Sequence, residues 1–210
     1  MPETDILYMD PEHIDQRQID IAASAIRKDK VIAFPTETVY GLGCSTESEV
    51  AARKIFEIKR RSRYKPFAIC LKSVDDLAVY RPELTESAEK IIQSFLPGPL
   101  TVILRCESGR ILGFRIPDCE ITRRLILAAD VPLFSTSANI SDGKNPTTAK
   151  QVLEMFKDRI DVLIDAGPSR IGLPSTVVDL TDNRPVLIRE GAIPASKIEE
   201  AINTELLNKL

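Results

Sequence analysis

Short apolar runs alternate along this chain with longer segments whose apolar residues recur at helical spacing, and this alternation restricts the fold most strongly. The apolar run at residues 31–34 follows a helical segment at residues 14–29. Apolar runs of about 4–8 residues indicate buried strands, and a period near about 3.6 residues indicates helices. Residues 175–180 and 185–189 have no helix between them and predict a hairpin. The sequence therefore predicts an α/β fold with a twisted mixed β-sheet flanked by helices.

A capping pattern and two segments that follow apolar runs carry specific predictions. Thr46, with Glu49 three residues later, has the form of a capping box and predicts a helix start. Residues 35–43 (Pro-Thr-Glu-Thr-Val-Tyr-Gly-Leu-Gly) and 135–139 (Ser-Thr-Ser-Ala-Asn) follow apolar runs and predict hydroxyl-rich loops. Ligands bind at strand ends in α/β sheets, so both loops are candidate binding loops. Plain turns with satisfied hydroxyls are the alternative.

Length and composition favour one domain. The chain has 210 residues, of which 43% are hydrophobic and 28% charged, as expected for a soluble fold with a full core. With no internal repeat or linker, we predict one domain at residues 1–210, with its core at about 15–195. No apolar run approaches the roughly 20 residues that span a bilayer, and the N-terminus does not resemble a signal peptide. We expect a cytoplasmic location and no membrane partner.

The cysteines and the histidine exclude several catalytic classes. Cysteines at positions 44, 70, 106 and 119 form no Cys-x-x-Cys pair, and His13 is the single histidine. We therefore predict no metal ligands, no histidine-dependent nucleophile, and reduced, mostly buried thiols. Gly-x-Gly-x-x-Gly and Gly-x-x-x-x-Gly-Lys-Ser/Thr motifs do not occur, which excludes the common dinucleotide and P-loop sites.

A dense basic run at residues 59–65 (Lys-Arg-Arg-Ser-Arg-Tyr-Lys) interrupts an acidic chain. Five of these residues are cationic although the net charge is −3, so any anion site must be local. Other cations and hydroxyls near predicted strand ends complete a candidate set: Lys59, Arg61, Lys65, Arg115, Arg189, Thr36, Thr38, Ser135, Ser137 and Ser175. These groups suit phosphate and carboxylate oxygens, as nucleotidyl transfer requires. They fit binding without catalysis equally well, and the basic run could be a solvated helix end.

Five short motifs occur in a specific order. They are residues 35–43, residues 59–61 (Lys-Arg-Arg), residues 113–117 (Gly-Phe-Arg-Ile-Pro), residues 135–139 and residues 174–177 (Pro-Ser-Thr-Val). Each motif alone is weakly specific, but the ordered set resembles the YrdC/TsaC family of threonylcarbamoyl-AMP synthases over about residues 15–195. The K-x-R and S-x-N signatures of synthase members are present as Lys59/Arg61 and Ser137/Asn139.

The resemblance implies a YrdC-like sheet with a concave cationic cavity and a nucleotidyltransferase activity. Such enzymes convert L-threonine, bicarbonate or CO₂, and ATP into L-threonylcarbamoyladenylate and pyrophosphate, for tRNA N6-threonylcarbamoyladenosine (t6A37). ATP is thus the expected substrate, Mg²⁺ the expected cofactor and a TsaD-type threonylcarbamoyltransferase the expected partner, with direct tRNA binding left open. The alternative is an RNA-binding or regulatory YrdC-like protein without synthase activity.

The resemblance also implies roles for single residues. Lys59 and Arg61 are the expected catalytic residues, and the expected ATP contacts are Lys59, Arg61, Lys65, Ser137, Asn139, Asn145 and Arg189. The expected threonine contacts are Thr38, Cys70, Arg115, Ser135 and Ser175, with Arg115 suited to the threonine carboxylate through a bidentate fork.

The sequence departs from the family pattern at three places. Ser62 replaces a proline, Cys70 replaces a histidine, and Ser-Asp-Gly at residues 141–143 replaces the usual Ser-Gly. Cys70 is one of the expected threonine contacts, so the replacement of histidine changes the side chain that would make this contact. The chain looks like a short form without the extra C-terminal domain of longer members.

Overall fold

The computed structural model describes residues 3–141 and 143–208. Its α-helices are α1 Gln16–Arg27, α2 Glu49–Lys59, α3 Glu86–Phe95, α4 Glu120–Ala129, α5 Ala149–Phe156 and α6 Ala195–Ile202, with a 3₁₀ helix at Asp75–Tyr80. Asp142, in the loop that departs from the family pattern, lies outside the described residues. Helix α1 confirms the helical segment predicted at residues 14–29.

Within the described residues, eleven strands form one mixed sheet. They are β1 Asp5–Tyr8, β2 Ile32–Phe34, β3 Gly41–Ser45, β4 Ala68–Cys70, β5 Leu100–Arg105, β6 Ile111–Arg115, β7 Leu133–Ser137, β8 Val162–Asp165, β9 Thr176–Asp179, β10 Val186–Arg189 and β11 Leu207–Asn208. Their order is β1-β8-β2-β3-β7-β4-β6-β5-β9-β10-β11. Parallel pairs such as β2–β8 stand beside antiparallel pairs such as β3–β7, and β9–β10 is the predicted hairpin. The predicted mixed α/β sheet is confirmed.

Helices cover both faces of the sheet, as strand β2 illustrates. Ile32 and Phe34 pack in the cluster that contains α1 and α4, whereas Ala33 packs with α2 and α5 on the opposite face. All three side chains are fully buried. A strand with two buried faces has a continuous apolar sequence, which explains the run at residues 31–34. A third cluster packs α3 and α6 against β5 and β6.

Two segments that the sequence predicts as loops are partly strands. Residues 41–43 belong to β3 and residues 135–137 belong to β7, and these two strands pair with each other. The loop predictions were wrong at these positions. Glycines and hydroxyl residues are common in turns, but here they stand within paired strands. Gly43 is required by a close approach between strands, since a Cβ there would lie 2.3 Å from the backbone oxygen of Phe134. Strands β1 and β11 were not predicted.

Helix α2 begins at a different cap from the predicted one. Ser48 is its N-cap, and the Ser48 Oγ accepts a hydrogen bond from the backbone N–H of Ala51 at 3.2 Å. Thr46 lies in the preceding turn, where its backbone N–H donates to the carbonyl of Pro132 at 3.0 Å. The prediction for Thr46 was wrong because two hydroxyl residues precede this helix, and only the local backbone conformation decides which one is the cap.

We expect Ser48→Ala to lower the free energy of unfolding by about 1 kcal/mol, because one N–H of the first turn loses its acceptor. Thr46→Ala, the matched control two residues earlier, should change it by less than about 0.5 kcal/mol. Urea denaturation of the two variants measures both values. Equal effects would contradict the assignment of the cap.

The described residues include no helix with both the length and the apolar character needed to cross a bilayer. A cytoplasmic location remains a prediction. The domain boundaries at 1–210 and about 15–195 also remain predictions.

Candidate functional site

Arg115 and the loop between β2 and β3 form a compact group, here called the arginine cluster (Thr36, Glu37, Thr38 and Arg115). The Arg115 Nη2 donates to Thr36 Oγ1 at 3.2 Å and to Thr38 Oγ1, and it forms an ion pair with Glu37 Oε1 at 3.1 Å. The Glu37 side chain is 1% exposed and the Arg115 side chain 12%. The loop therefore holds one edge of the guanidinium in place.

Strand alternation explains the direction of Arg115. Its neighbours Phe114 and Ile116 are fully buried in the core, so Arg115 lies on the other side of β6. Because β6 and β4 are parallel neighbours, Arg115 also lies beside Cys70 in the sheet.

Ser175 and Arg189 lie next to the arginine cluster. Ser175 immediately precedes β9, and Arg189, at the end of β10, donates from Nη2 to the Ser175 carbonyl at 2.8 Å and to the Ser175 Oγ at 3.3 Å. The Ser175 Oγ is also 2.9 Å from Thr101 Oγ1. Burial lowers the pKa of Arg189, and the charge of Arg115 acts in the same direction. Arg189 was predicted to contact the nucleotide. In the structure it donates hydrogen bonds to Ser175, which was predicted to contact threonine.

Cys70 is a buried thiol at the end of β4. It is 1% exposed and packs in the core cluster that contains α1 and α4. Burial raises the pKa of the Cys70 thiol to about 12, although the charge of Arg115 acts in the opposite direction. Strand β4, which Cys70 ends, pairs with β7, which contains Ser135. Cys70 therefore lies beside Arg115 in the sheet as a neutral thiol.

Lys59 forms a second group with the end of β7, here called the lysine cluster (Lys59, Ser137 and Asn139). Lys59 is the last residue of α2 and is 1% exposed, so the interpretation of a solvated helix end is wrong at this position. Its Nζ donates to the Ser137 carbonyl at 2.5 Å and to the Asn139 carbonyl. Burial lowers the pKa of Lys59 to about 7, and the charge of Arg61 acts in the same direction.

The side chains of Ser137 and Asn139 are held by hydrogen bonds. The Ser137 Oγ donates to the Asn139 Oδ1 at 2.5 Å. The Asn139 Nδ2 donates to the carbonyls of Ile140 at 2.9 Å and Gly143 at 2.7 Å. The hydrogen bonds of Ser137 and Asn139 thus stabilise the turn that follows β7. Lys59 adds to this by donating to the carbonyls of the same two residues.

The backbone of Tyr40 joins the loop of the arginine cluster to the lysine cluster. The Tyr40 carbonyl accepts from the N–H of Ala138 at 2.8 Å, and the Tyr40 N–H donates to the carbonyl of Pro146 at 2.9 Å. Asn145, half-buried, immediately precedes Pro146. The predicted nucleotide contacts Ser137, Asn139 and Asn145 therefore lie around one segment of backbone.

Arg61 organises the basic loop after α2. Its Nε donates to the Lys65 carbonyl at 2.8 Å, and its Nη2 donates to the Pro66 carbonyl at 2.9 Å. Its guanidinium also lies 5.7 Å from the ring centroid of Phe67. Arg60 and Arg63 are exposed.

Two clefts lie on the described surface. One, of about 260 Å³, borders the arginine cluster and is lined by Thr36, Glu37, Cys119 and Ser169 among others. A larger one, of about 490 Å³, lies against α1 and is lined by Asp20, Lys28 and Asp161 among others. The predicted residues thus form two clusters joined by residues 38–40, and a concave cationic cavity between them remains a prediction.

Glu37 and Thr101 are members of the site that sequence reasoning missed. Glu37 lies between two predicted hydroxyl residues, so its position in the motif was a usable signal. Thr101 gave no local signal, because only the parallel pairing of β5 with β9 brings it beside Ser175.

Comparisons with known proteins place the chain in a family. A family model covering Sua5, YciO and YrdC proteins, described as telomere recombination, matches residues 24–191. A threonylcarbamoyl-AMP synthase of Pyrococcus abyssi is 42% identical over 91% of this chain and 59% of its own length. A putative threonylcarbamoyl-AMP synthase of Methanocaldococcus jannaschii is 35% identical over 91% of this chain and 94% of its own length.

A solved structure extends the likeness to three dimensions. The crystal structure of P. abyssi Sua5 complexed with L-threonine matches with a TM-score of 0.92 and 40% identity, over 98% of this chain and 63% of that one. The chain therefore spans about three fifths of the P. abyssi relatives that it matches. Since the family model matches most of the sequence, this chain belongs to the Sua5/YciO/YrdC family, as the YrdC/TsaC resemblance predicts.

Proposed function

We propose that this chain synthesises L-threonylcarbamoyladenylate from L-threonine, bicarbonate or CO₂, and ATP, with release of pyrophosphate. The observation that carries the proposal is the structural match, over nearly the whole chain, to a Sua5 protein complexed with L-threonine. The names of the two synthase relatives support it. The product would serve formation of t6A37 in tRNA, and a TsaD-type threonylcarbamoyltransferase would receive it.

The arginine cluster is the proposed threonine site. Because Nη2 of Arg115 is held by Thr38 and Glu37 and Nε is buried, the N–H groups of Nη1 are left for the substrate carboxylate. Ser175 and Ser135 would supply hydroxyl contacts, and Cys70 would close the site with an apolar surface. A carboxylate fixed in this way orients the amine toward CO₂, which is the advantage of holding reactants in one geometry.

The proposed reaction has two steps. The ammonium group of threonine first loses one proton to solvent, the free amine nitrogen then attacks CO₂ and forms the new N–C bond, and loss of a second proton to solvent leaves a carbamate. A carbamate oxygen then attacks the α-phosphorus of ATP, and the bond from that phosphorus to the pyrophosphate oxygen breaks. Negative charge grows around phosphorus in the second step, so fixed cations stabilise the transition state.

The lysine cluster and the basic loop are the proposed nucleotide side of the site. Ser137, Asn139 and Asn145 would contact the nucleotide, and Arg61 and Lys65 would lie along the triphosphate. Lys59 would act mainly by placing positive charge beneath the turn, since two of its N–H groups are donated to main-chain carbonyls. Among the described residues no cluster of three His, Cys, Asp or Glu side chains is placed to hold a metal. Mg²⁺ would therefore enter as the complex of ATP.

The ionisation of Lys59 should make ATP binding depend on pH. The pKa of Lys59 is lowered to about 7, so the ammonium is charged below that pH and neutral above it. We expect ATP affinity to weaken by about fivefold to tenfold between about pH 6 and about pH 8.5, because a charged donor is lost. Titration calorimetry on the wild type and on Lys59→Met separates this effect from the titration of ATP itself. An identical pH dependence in both proteins would contradict the assignment.

Pyrophosphate release tests the proposed function. Purified protein with MgATP should release pyrophosphate only when L-threonine and bicarbonate are both present. Omitting either co-substrate provides the matched control. Equal release with and without the two co-substrates would overturn the proposal.

The RNA-binding alternative has a separate outcome. It predicts tRNA affinity that falls steeply with salt concentration, because phosphate contacts release counterions. Such binding without co-substrate-dependent pyrophosphate release would favour the alternative.

A further inference from the structure

Thr101 is a buried hydroxyl residue that the proposed mechanism leaves without a role. It lies in β5 and is 9% exposed, and its neighbours Leu100 and Val102 are fully buried in the core. Alternation therefore turns the Thr101 side chain to the other side of the strand. The register between β5 and β6 pairs Val102 with Phe114, so the next positions along the two strands are Thr101 and Arg115. Thr101 thus lies beside Arg115, on the side of the proposed threonine site.

The hydroxyl group of Thr101 contacts the hydroxyl group of Ser175. The two oxygens are 2.9 Å apart, and the Ser175 Oγ also accepts a hydrogen bond from the Arg189 Nη2 at 3.3 Å. A buried hydroxyl group is unfavourable without a hydrogen bond, whereas a valine has the same shape and is at least as favourable in a strand. The contact with Ser175 is therefore what a hydroxyl group at position 101 provides.

The protons of these two hydroxyl groups can be counted. Each group has one proton to donate and two lone pairs that accept. Arg189 donates to one lone pair of Ser175, and the bond between the hydroxyl groups uses one of their two protons, with either oxygen as the donor. Within the described residues, no acceptor takes the second proton. The two residues together therefore keep one O–H group for a ligand oxygen.

We propose that Thr101 is a positioning residue for the substrate carboxylate and acts through Ser175. This inference rests on the proposed function and assigns a further residue to the same site. When a carboxylate oxygen accepts the Ser175 proton, the bond between the hydroxyl groups has one direction, from Thr101 to Ser175. Ser175 then accepts from Thr101 and Arg189 and donates to substrate, which uses its full hydrogen-bonding capacity. Donation by Thr101 also polarises the Ser175 O–H group and strengthens its bond to the carboxylate.

Binding of L-threonine to the full chain tests this role. Thr101→Val keeps the shape of the side chain and removes its hydroxyl group, so affinity for L-threonine should fall by about 5-fold to 10-fold, as measured by ligand-observed NMR. Thr101→Ser, which keeps the hydroxyl group, should recover most of it. In the pyrophosphate assay, Thr101→Val should raise the KM for threonine by a similar factor and leave kcat within about twofold, because the same contact holds the ground state and the transition state.

A double variant shows whether Thr101 acts through Ser175. Ser175→Ala should weaken binding by at least as much as Thr101→Val, and adding Thr101→Val to Ser175→Ala should change affinity by less than about twofold. An equal loss from Thr101→Val in both backgrounds would overturn the inference, because Thr101 would then act on substrate directly or through the fold as a whole. Unchanged affinity in Ser175→Ala would also overturn it, even if Thr101→Val does not fold.

Thr4→Val is the matched control. Thr4 is a buried threonine just before β1, at the edge of the sheet, and its Oγ1 donates to the Ile160 carbonyl at 2.8 Å. Its substitution should lower stability without changing the affinity for L-threonine. Unchanged affinity in Thr101→Val would overturn the inference and leave Thr101 as a structural residue of the same kind.

Failure of the proposed function gives a different result. In that case the wild type binds L-threonine, the losses in Thr101→Val and Ser175→Ala are coupled, and no pyrophosphate is released. Absence of L-threonine binding by the wild type would overturn both.

Discussion

Arg115→Ala is expected to lower threonine-dependent pyrophosphate release by at least about 100-fold, because the charge and the Nη1 donors that would hold the substrate carboxylate are both lost. The variant should also be less stable by about 3 kcal/mol, since Glu37, 1% exposed, keeps a buried charge without its partner. Enzyme assays and urea denaturation of the same preparation measure the two effects.

A double variant separates the two losses. Arg115→Ala combined with Glu37→Gln removes the buried charge as well as the guanidinium, so stability should largely return while activity stays low. Arg115→Lys should fold and raise the KM for threonine, because an ammonium cannot contact Thr38 and Glu37 with one edge and the substrate with another, as the planar guanidinium can. Recovery of activity in the double variant would contradict the placement of Arg115 in the threonine site.

Lys59→Ala is expected to reduce both stability and nucleotide binding. The side chain is 1% exposed, so truncation leaves a cavity and removes the donor from the carbonyls of Ser137 and Asn139. The free energy of unfolding should fall by about 2–4 kcal/mol. ATP affinity should fall by at least about 10-fold, because the turn that would hold the nucleotide loses its support and its positive charge.

Arg60→Ala is the control for Lys59→Ala. Arg60 is the next residue in the chain and is exposed, so its removal should change stability by less than about 0.5 kcal/mol and leave ATP affinity near that of the wild type. Titration calorimetry and thermal denaturation give both quantities. Similar losses in the two variants would mean that the density of positive charge matters, and not the buried position of Lys59.

The direction of Arg115 and the mixed sheet could be predicted because both follow from local periodicity. Phe114 and Ile116 flank Arg115 as apolar residues, and the period of two places the guanidinium on the other side of the strand. Strand β2 has two buried faces, so the apolar run at residues 31–34 was a direct signal.

The burial of Lys59 could not be predicted from the sequence. The charge density of residues 59–65 is typical of a solvated helix end, and only the path of β7 brings two carbonyl acceptors to the Lys59 ammonium. The same limit applies to Arg189, whose contact with Ser175 depends on the hairpin of β9 and β10. Such contacts join residues distant in sequence, where local patterns carry no information.

The fold explains what the replacement of histidine by Cys70 changes. The thiol is 1% exposed, and burial raises its pKa to about 12, so it is neutral at physiological pH. A histidine at this position could donate a hydrogen bond to substrate, whereas a buried thiol contributes mainly packing. The proposed threonine contacts therefore rest on Arg115 and the hydroxyl groups.

Formation of the adenylate itself tests the central claim most directly. The protein is incubated with MgATP, L-threonine and isotope-labelled bicarbonate, and the nucleotides are separated and analysed by mass spectrometry. The proposed function predicts a labelled threonylcarbamoyl-AMP that is absent when threonine is omitted. Pyrophosphate release without this labelled adenylate, or no reaction with any of the substrates in place, would contradict it.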